Sequence, residues 1–185
     1  MNYTTLSLTD IKTALEDIAR DAEASFGGLD ARQLNWRPDA NRWSVAQCFE
    51  HLMLGAAEDT LAGARPPTIW QRLPFLPGLF GRLLIQSQAP SGTRKFTAPP
   101  AARPAASDIA ADVVTRFVQQ QRESAARLRA SDERLAGRAI MTSPFVHFMT
   151  YRVLDGWRLM VAHNRRHFEQ ARRVMLSSPQ EKELP

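Results

Sequence analysis

The spacing of apolar residues constrains this chain most, because they recur every three or four positions in four separate segments. This is the period of an amphipathic helix. The predicted helices run from Ser7 or Thr9 to about Phe26, from Ser44 to near Gly63, from Ser107 to about Arg129, and from Thr150 to Met175 or Leu176. We find no strand-like alternation and no internal repeat. The pattern therefore predicts an all-α protein, a four-helix bundle with long crossover connections.

The length of 185 residues corresponds to one domain, which we expect to span 1–185. Within it, the stretch 65–104 holds eight of the twelve prolines, together with many apolar residues. We expect it to be a long crossover with one or two helical turns around Leu79 to Gln86. Because so long a connection is unusual in a compact domain, it is expected to cover the opening of a site or to form a contact surface.

The net charge and the sequence signals for cellular location limit which partners and compartments we expect for this protein. The 24 basic and 19 acidic residues give a net charge of +5, carried mostly by arginines. This small, scattered excess argues against a nucleic-acid partner, although the arginines of the fourth helix keep that hypothesis open. The sequence contains no apolar run of membrane-spanning length and no signal-peptide pattern. Because Cys48 is the only cysteine, no intrachain disulfide can form, and we expect a cytoplasmic protein.

Two histidines in the fourth predicted helix are spaced for metal binding. His163 and His167 lie four residues apart, so their side chains stack on one face, at the border of the apolar stripe. Buried imidazoles need polar partners, and a metal ion would provide one. His51, on the second helix, is the available third ligand, unless it is an ordinary core histidine. Three neutral imidazoles would hold one divalent transition metal and leave coordination positions open.

Two better-known metal sites are excluded. A zincin requires Glu directly after the first histidine of the pair, where this chain has Asn164. A ferritin-like di-iron site requires Glu three residues before a histidine, and the corresponding positions here are Cys48, Pro144, Met160 and Asn164. A mononuclear site made of histidines alone is the better fit.

Several motifs together resemble the DinB-like superfamily: Trp36-Arg37-Pro38, Arg42-Trp43-Ser44-Val45, His51-Leu52 and His163-x-x-Arg166-His167-x-x-Gln170. The similarity covers roughly residues 34–54 and 150–174, and it extends to the stretch 95–104. Taken as a set, these motifs are fairly specific, whereas each one alone would be weak.

The resemblance implies a four-helix bundle in which His51, His163 and His167 bind one divalent metal. Zn or Ni is expected first, with Fe or Mn as further options. Such an ion lowers the pKa of a bound thiol or water. The resemblance therefore implies a thiol S-transferase or a hydrolase acting on a small molecule, with a low-molecular-weight thiol among the candidate substrates. The alternative is a non-catalytic metal-binding or dimerising bundle in a stress response, and a homodimer is compatible with the apolar crossover.

Other polar residues are weaker candidates. Glu58 follows His51 by seven residues on the same helical stripe, so it is either a general base or a solvated side chain. We interpret Cys48 as a small buried residue rather than a nucleophile, and His147 as structural or exposed. No protein nucleophile is expected.

Neighbouring residues are assigned packing roles. Trp36 and Trp43 are expected to pack at the start of the second helix rather than to line a pocket. Glu50 and Glu169 adjoin the candidate ligands in sequence but point away from them on the helix, and we exclude both from the site.

Overall fold

The computed structural model describes residues 1–54, 76–90, 98, 100–105, 108–129, 131–143 and 149–179. Glu58, His147 and the predicted end of the second helix near Gly63 lie outside these residues. In chain order the elements are a 3-10 turn (Tyr3–Thr5), α1 (Leu8–Phe26), α2 (Ala31–Asn35), α3 (Val45–Leu54), α4 (Leu76–Gln88), a second 3-10 turn (Pro100–Ala102), α5 (Val113–Leu128), α6 (Glu133–Arg138), β1 (Ile140–Thr142), β2 (Thr150–Arg152) and α7 (Val153–Ser177). None of the helices in these ranges combines the length and apolar character needed to cross a membrane.

Helices α1, α3, α5 and α7 form the predicted all-α four-helix bundle. Helix α1 packs against α5 and α7, and α3 packs against the same two helices. Each helix contributes one buried phenylalanine to a central cluster in which ring centroids lie 4.9–5.2 Å apart, the members being Phe26, Phe49, Phe117 and Phe168. Such tilted and edge-to-face pairs add about 0.5–1.5 kcal/mol each beyond the burial of their area.

Reciprocal capping hydrogen bonds are present at the N-termini of α1 and α3. Ser7 accepts from the Asp10 amide, and the Asp10 carboxylate accepts from the Ser7 amide in return. At α3 the same reciprocal pair joins Ser44 and Gln47, with distances of 3.0 and 3.1 Å. These bonds satisfy amide groups that the first turn of a helix leaves without partners.

The predicted start of the third helix at Ser107-Asp108 is wrong, because α5 begins at Val113. Asp108 has a φ of 57°, in the left-handed region, so it does not lead directly into a right-handed helix. The side chain of Asn35 binds both the amide and the carbonyl of Ile109, at 3.0 and 2.8 Å. A contact with a distant residue thus holds the backbone just before α5 in a non-helical conformation.

A short hairpin before α7 was not predicted. Strands β1 and β2 pair antiparallel, with Met141 opposite Tyr151, and α7 begins at Val153 instead of Thr150. Three residues per strand are too few for alternation to show in the sequence.

Helix α4 lies inside the predicted crossover and is longer than the one or two turns expected there. It packs on α7 and β2, and it approaches α7 closely at Gly81. A Cβ added to Gly81 would lie 2.7 Å from Asp155 Oδ2. Asp155 is buried and is fixed by an ion pair of 2.9 Å with Arg158, which also donates to the Leu6 carbonyl. The crossover is therefore packed tightly against the first turn of α7.

We predict that Gly81→Ala lowers the free energy of unfolding by about 1–3 kcal/mol, because the new methyl group collides with a fixed carboxylate. Gly78→Ala is the matched control on the same helix, where the nearest atom to a Cβ is Arg152 Nη2 at 3.9 Å. The control should be neutral or stabilising by up to about 1 kcal/mol. Denaturant unfolding followed by circular dichroism measures both, and equal values would contradict the close packing.

Candidate metal centre

Three of the four histidines meet inside the bundle. His51 projects from α3, and His163 and His167 project from consecutive turns of α7. Their ring centroids lie 4.5–5.1 Å apart, and one nitrogen from each ring lies within 4.8 Å of the other two. The structure thus brings together the three candidate ligands named from the sequence.

The imidazole of His51 is held by the crossover. Its Nδ1 donates to the Ala102 carbonyl at 2.6 Å. A carbonyl oxygen can only accept, so the neutral ring carries its proton on Nδ1 and leaves Nε2 bare. Gln47 and Glu50 of the same helix bind the carbonyl and the amide of Ala105. Glu50 therefore anchors this segment, and its exclusion from the site stays a prediction.

His163 presents a second bare nitrogen to the first. Its Nδ1 lies 3.1 Å from the side-chain oxygen Oε1 of Gln88, to which it donates. Its Nε2 then has no proton and lies 3.1 Å from Nε2 of His51. At this distance the two nitrogens form an N–H···N hydrogen bond if one Nε2 carries a proton, whereas two unprotonated nitrogens repel unless a cation lies between them. Nitrogen ligands about 2.0–2.1 Å from one tetrahedral ion would be separated by about 3.4 Å, close to the observed spacing.

His167 completes the cluster and contacts Trp43. The indole of Trp43 is stacked on His167 at 5.7 Å and is tilted against His51 at 4.8 Å, both measured between ring centroids. The prediction that Trp43 packs at the start of the second helix was incomplete, because the ring also covers two candidate ligands. Nδ1 of His167 is buried and, among the residues that the structure describes, forms no hydrogen bond of normal geometry. A buried ring nitrogen without a hydrogen-bond partner is expected where a bound ion or molecule supplies the missing partner.

Burial keeps all three imidazoles neutral. It is the largest cause that lowers the pKa of each ring, well below the ordinary value for His163 and to about 3 for His167. For these two rings, neighbouring histidines and Arg166 lower the pKa further, while the Gln170 side chain opposes the shift at His167. Neutral imidazole is the form that binds metals.

Cys48 is also buried, and burial shifts the pKa of its thiol upwards, whereas it shifts the pKa of the histidines downwards. It raises the pKa of the thiol to about 12, so the thiolate is not formed near neutral pH. Cys48 is fully enclosed in the core, as the sequence indicated. This environment agrees with the prediction that it is not the nucleophile.

A buried amide pair sets the rotation of α7. Asn164 Nδ2 donates to Gln121 Oε1 of α5 at 2.7 Å, and both side chains are almost fully buried. Neither amide can leave this contact without losing its partner, which costs about 1–3 kcal/mol. Because Asn164 lies next to His163 in the chain, the pair, together with the buried apolar residues of α7, holds the rotation of α7 that turns the histidines inward.

Sequence reasoning missed the two crossover groups that contact the ligands. Gln88 and the Ala102 carbonyl touch His163 and His51, yet neither has a recognisable spacing relative to a histidine. No local signal in the sequence identifies them, because their contacts depend on the path of the crossover over the bundle.

Comparison with known proteins gives one match. The family model described as the DinB superfamily matches residues 14–171, which include all three clustered histidines. No curated protein and no solved structure matches the chain.

We predict that the metal-free protein loses stability as pH falls from neutral to about pH 5. Between the ordinary histidine pKa of 6.5 and about 3, the unfolded chain binds a proton at His167 that the folded chain does not. Each such histidine contributes a slope of up to about 1.4 kcal/mol per pH unit. Chemical unfolding at several pH values should give a shallower slope for His167→Gln, and identical slopes would contradict burial of this ring in its neutral form.

Proposed function

The chain belongs to the DinB superfamily, and we propose that it is a metal-dependent enzyme that activates a thiol or water for reaction with a small molecule. The observation that carries the proposal is the approach of two bare imidazole nitrogens, Nε2 of His51 and Nε2 of His163, to 3.1 Å. A cation at this position would be coordinated by both nitrogens, in place of the contact that the two rings make with each other.

The donor set supports a transition metal over a hard cation. His51, His163 and His167 offer only imidazole nitrogen, which suits Zn, Ni and Fe better than Mg, Ca or Mn, which prefer oxygen ligands. A divalent ion bound this way lowers the pKa of a thiol or water molecule that binds to it. Three protein ligands leave positions open for such a molecule, as in catalytic rather than structural zinc sites.

The surrounding residues support a reaction without a protein nucleophile. Cys48 stays protonated in the core, so the attacking group comes from the substrate or from water. Trp43 covers one side of His51 and His167 with an apolar ring. A low-molecular-weight thiol is therefore the first candidate substrate. Glu58, outside the residues that the structure describes, remains the candidate general base.

The test measures catalysis by metal-depleted protein reloaded with Zn or Ni. One assay follows transfer of a low-molecular-weight thiol to an aryl halide, and another follows hydrolysis of a nitrophenyl ester. We predict metal-dependent turnover in one of them and a loss of about 100-fold or more in His163→Ala, since a metal contributes several kcal/mol to such reactions. Arg172→Ala is the control, because Arg172 lies exposed on the same helix.

The outcomes separate the two hypotheses made from the sequence. Turnover that a chelator abolishes supports the enzyme. Tight metal binding through the three histidines without turnover in either assay overturns it and favours the non-catalytic metal-binding bundle.

A further inference from the structure

The last turn of α4 is held against α7 by a hydrogen bond, next to the histidine cluster. Arg166 Nη1 on α7 donates to the Ser87 carbonyl at 2.7 Å. Six residues earlier, Gly81 lies against the buried Asp155, which leaves no room for a side chain at position 81. Contacts with α7 at these two positions fix the end of α4, so Gln88 is placed by the fold rather than by its own flexibility.

The side chain of Gln88 is the hydrogen-bond acceptor for a candidate ligand. Its Oε1 lies 3.1 Å from Nδ1 of His163, on the ring edge opposite the nitrogen that faces His51. An acceptor at Nδ1 holds the proton there, keeps Nε2 bare, and fixes the ring orientation. At His51 the acceptor for Nδ1 is the main-chain carbonyl of Ala102, which a side-chain substitution does not remove. At His163 the acceptor for Nδ1 is a side chain, so it depends on which residue occupies position 88.

We propose that Gln88 is a positioning residue for the metal centre, through which the crossover helix α4 sets the affinity of the site for its ion. This inference rests on the proposed function, because it requires that His163 be a ligand. In this role Gln88 is not itself a ligand of the ion. It acts through the tautomer and orientation of His163, and it makes the crossover a functional part of the site rather than a simple connection.

The test compares variants that keep or remove the acceptor. Gln88→Leu has a similar size but no acceptor, whereas Gln88→Glu keeps an acceptor and adds charge. Gln86→Leu is the matched control, two residues away on the same helix and exposed. Competition titration with Zn and a chromophoric chelator measures the affinity. We expect Gln88→Leu to bind Zn about 10- to 100-fold more weakly, Gln88→Glu to bind at least as tightly as the wild type, and Gln86→Leu to be unchanged.

A second measurement distinguishes positioning from general damage to the fold. In the Zn-loaded wild type, the Nδ1 proton of His163 should give a slowly exchanging imidazole signal in the NMR spectrum, because Gln88 shields it. This signal should persist in Gln88→Glu and should broaden by solvent exchange in Gln88→Leu.

Each result bears on one of the two proposals. A wild type that binds Zn while Gln88→Leu binds it equally well overturns the role of Gln88 and leaves the proposed function standing. Equal weakening in Gln88→Leu and Gln88→Glu also overturns it, since the acceptor would then be irrelevant. A wild type that binds no metal overturns the proposed function and the role of Gln88 with it.

Discussion

The contact on which this account depends is the one between Nε2 of His51 and Nε2 of His163, at 3.1 Å. Each ring is oriented by an acceptor at its other nitrogen, the Ala102 carbonyl for one and the Gln88 amide oxygen for the other. Both acceptors hold the proton on Nδ1 and turn the bare nitrogen inward. A cation between the two inward nitrogens would accept both lone pairs, and the four-helix core holds the two rings close together.

The core supplies both the rigidity and the low polarity of the centre. One phenylalanine from each of the four long helices joins the central cluster, and the buried amides of Asn164 and Gln121 set the rotation of α7. Burial disfavours the protonated imidazoles and so keeps the metal-binding form near neutral pH. The buried core that stabilises the bundle therefore also keeps the three histidines in the neutral form that binds a metal.

Much of this arrangement could be predicted from the sequence, and the limits have physical causes. The four-residue spacing of His163 and His167 fixes their common face, because helical periodicity is local. The start of α5 was misplaced, since Asn35, 74 residues away, holds the Ile109 backbone. Gln88 and Ala102 could not be found, because their positions depend on how the crossover returns over the bundle, which periodicity does not encode.

X-ray absorption spectroscopy of the Zn-loaded, untagged protein tests the central claim most directly, together with its metal content. The account predicts about one Zn per chain and a first coordination shell that contains three imidazole nitrogens about 2.0–2.1 Å from the metal. A spectrum without imidazole scattering, or a protein that retains no metal after gel filtration, would contradict it.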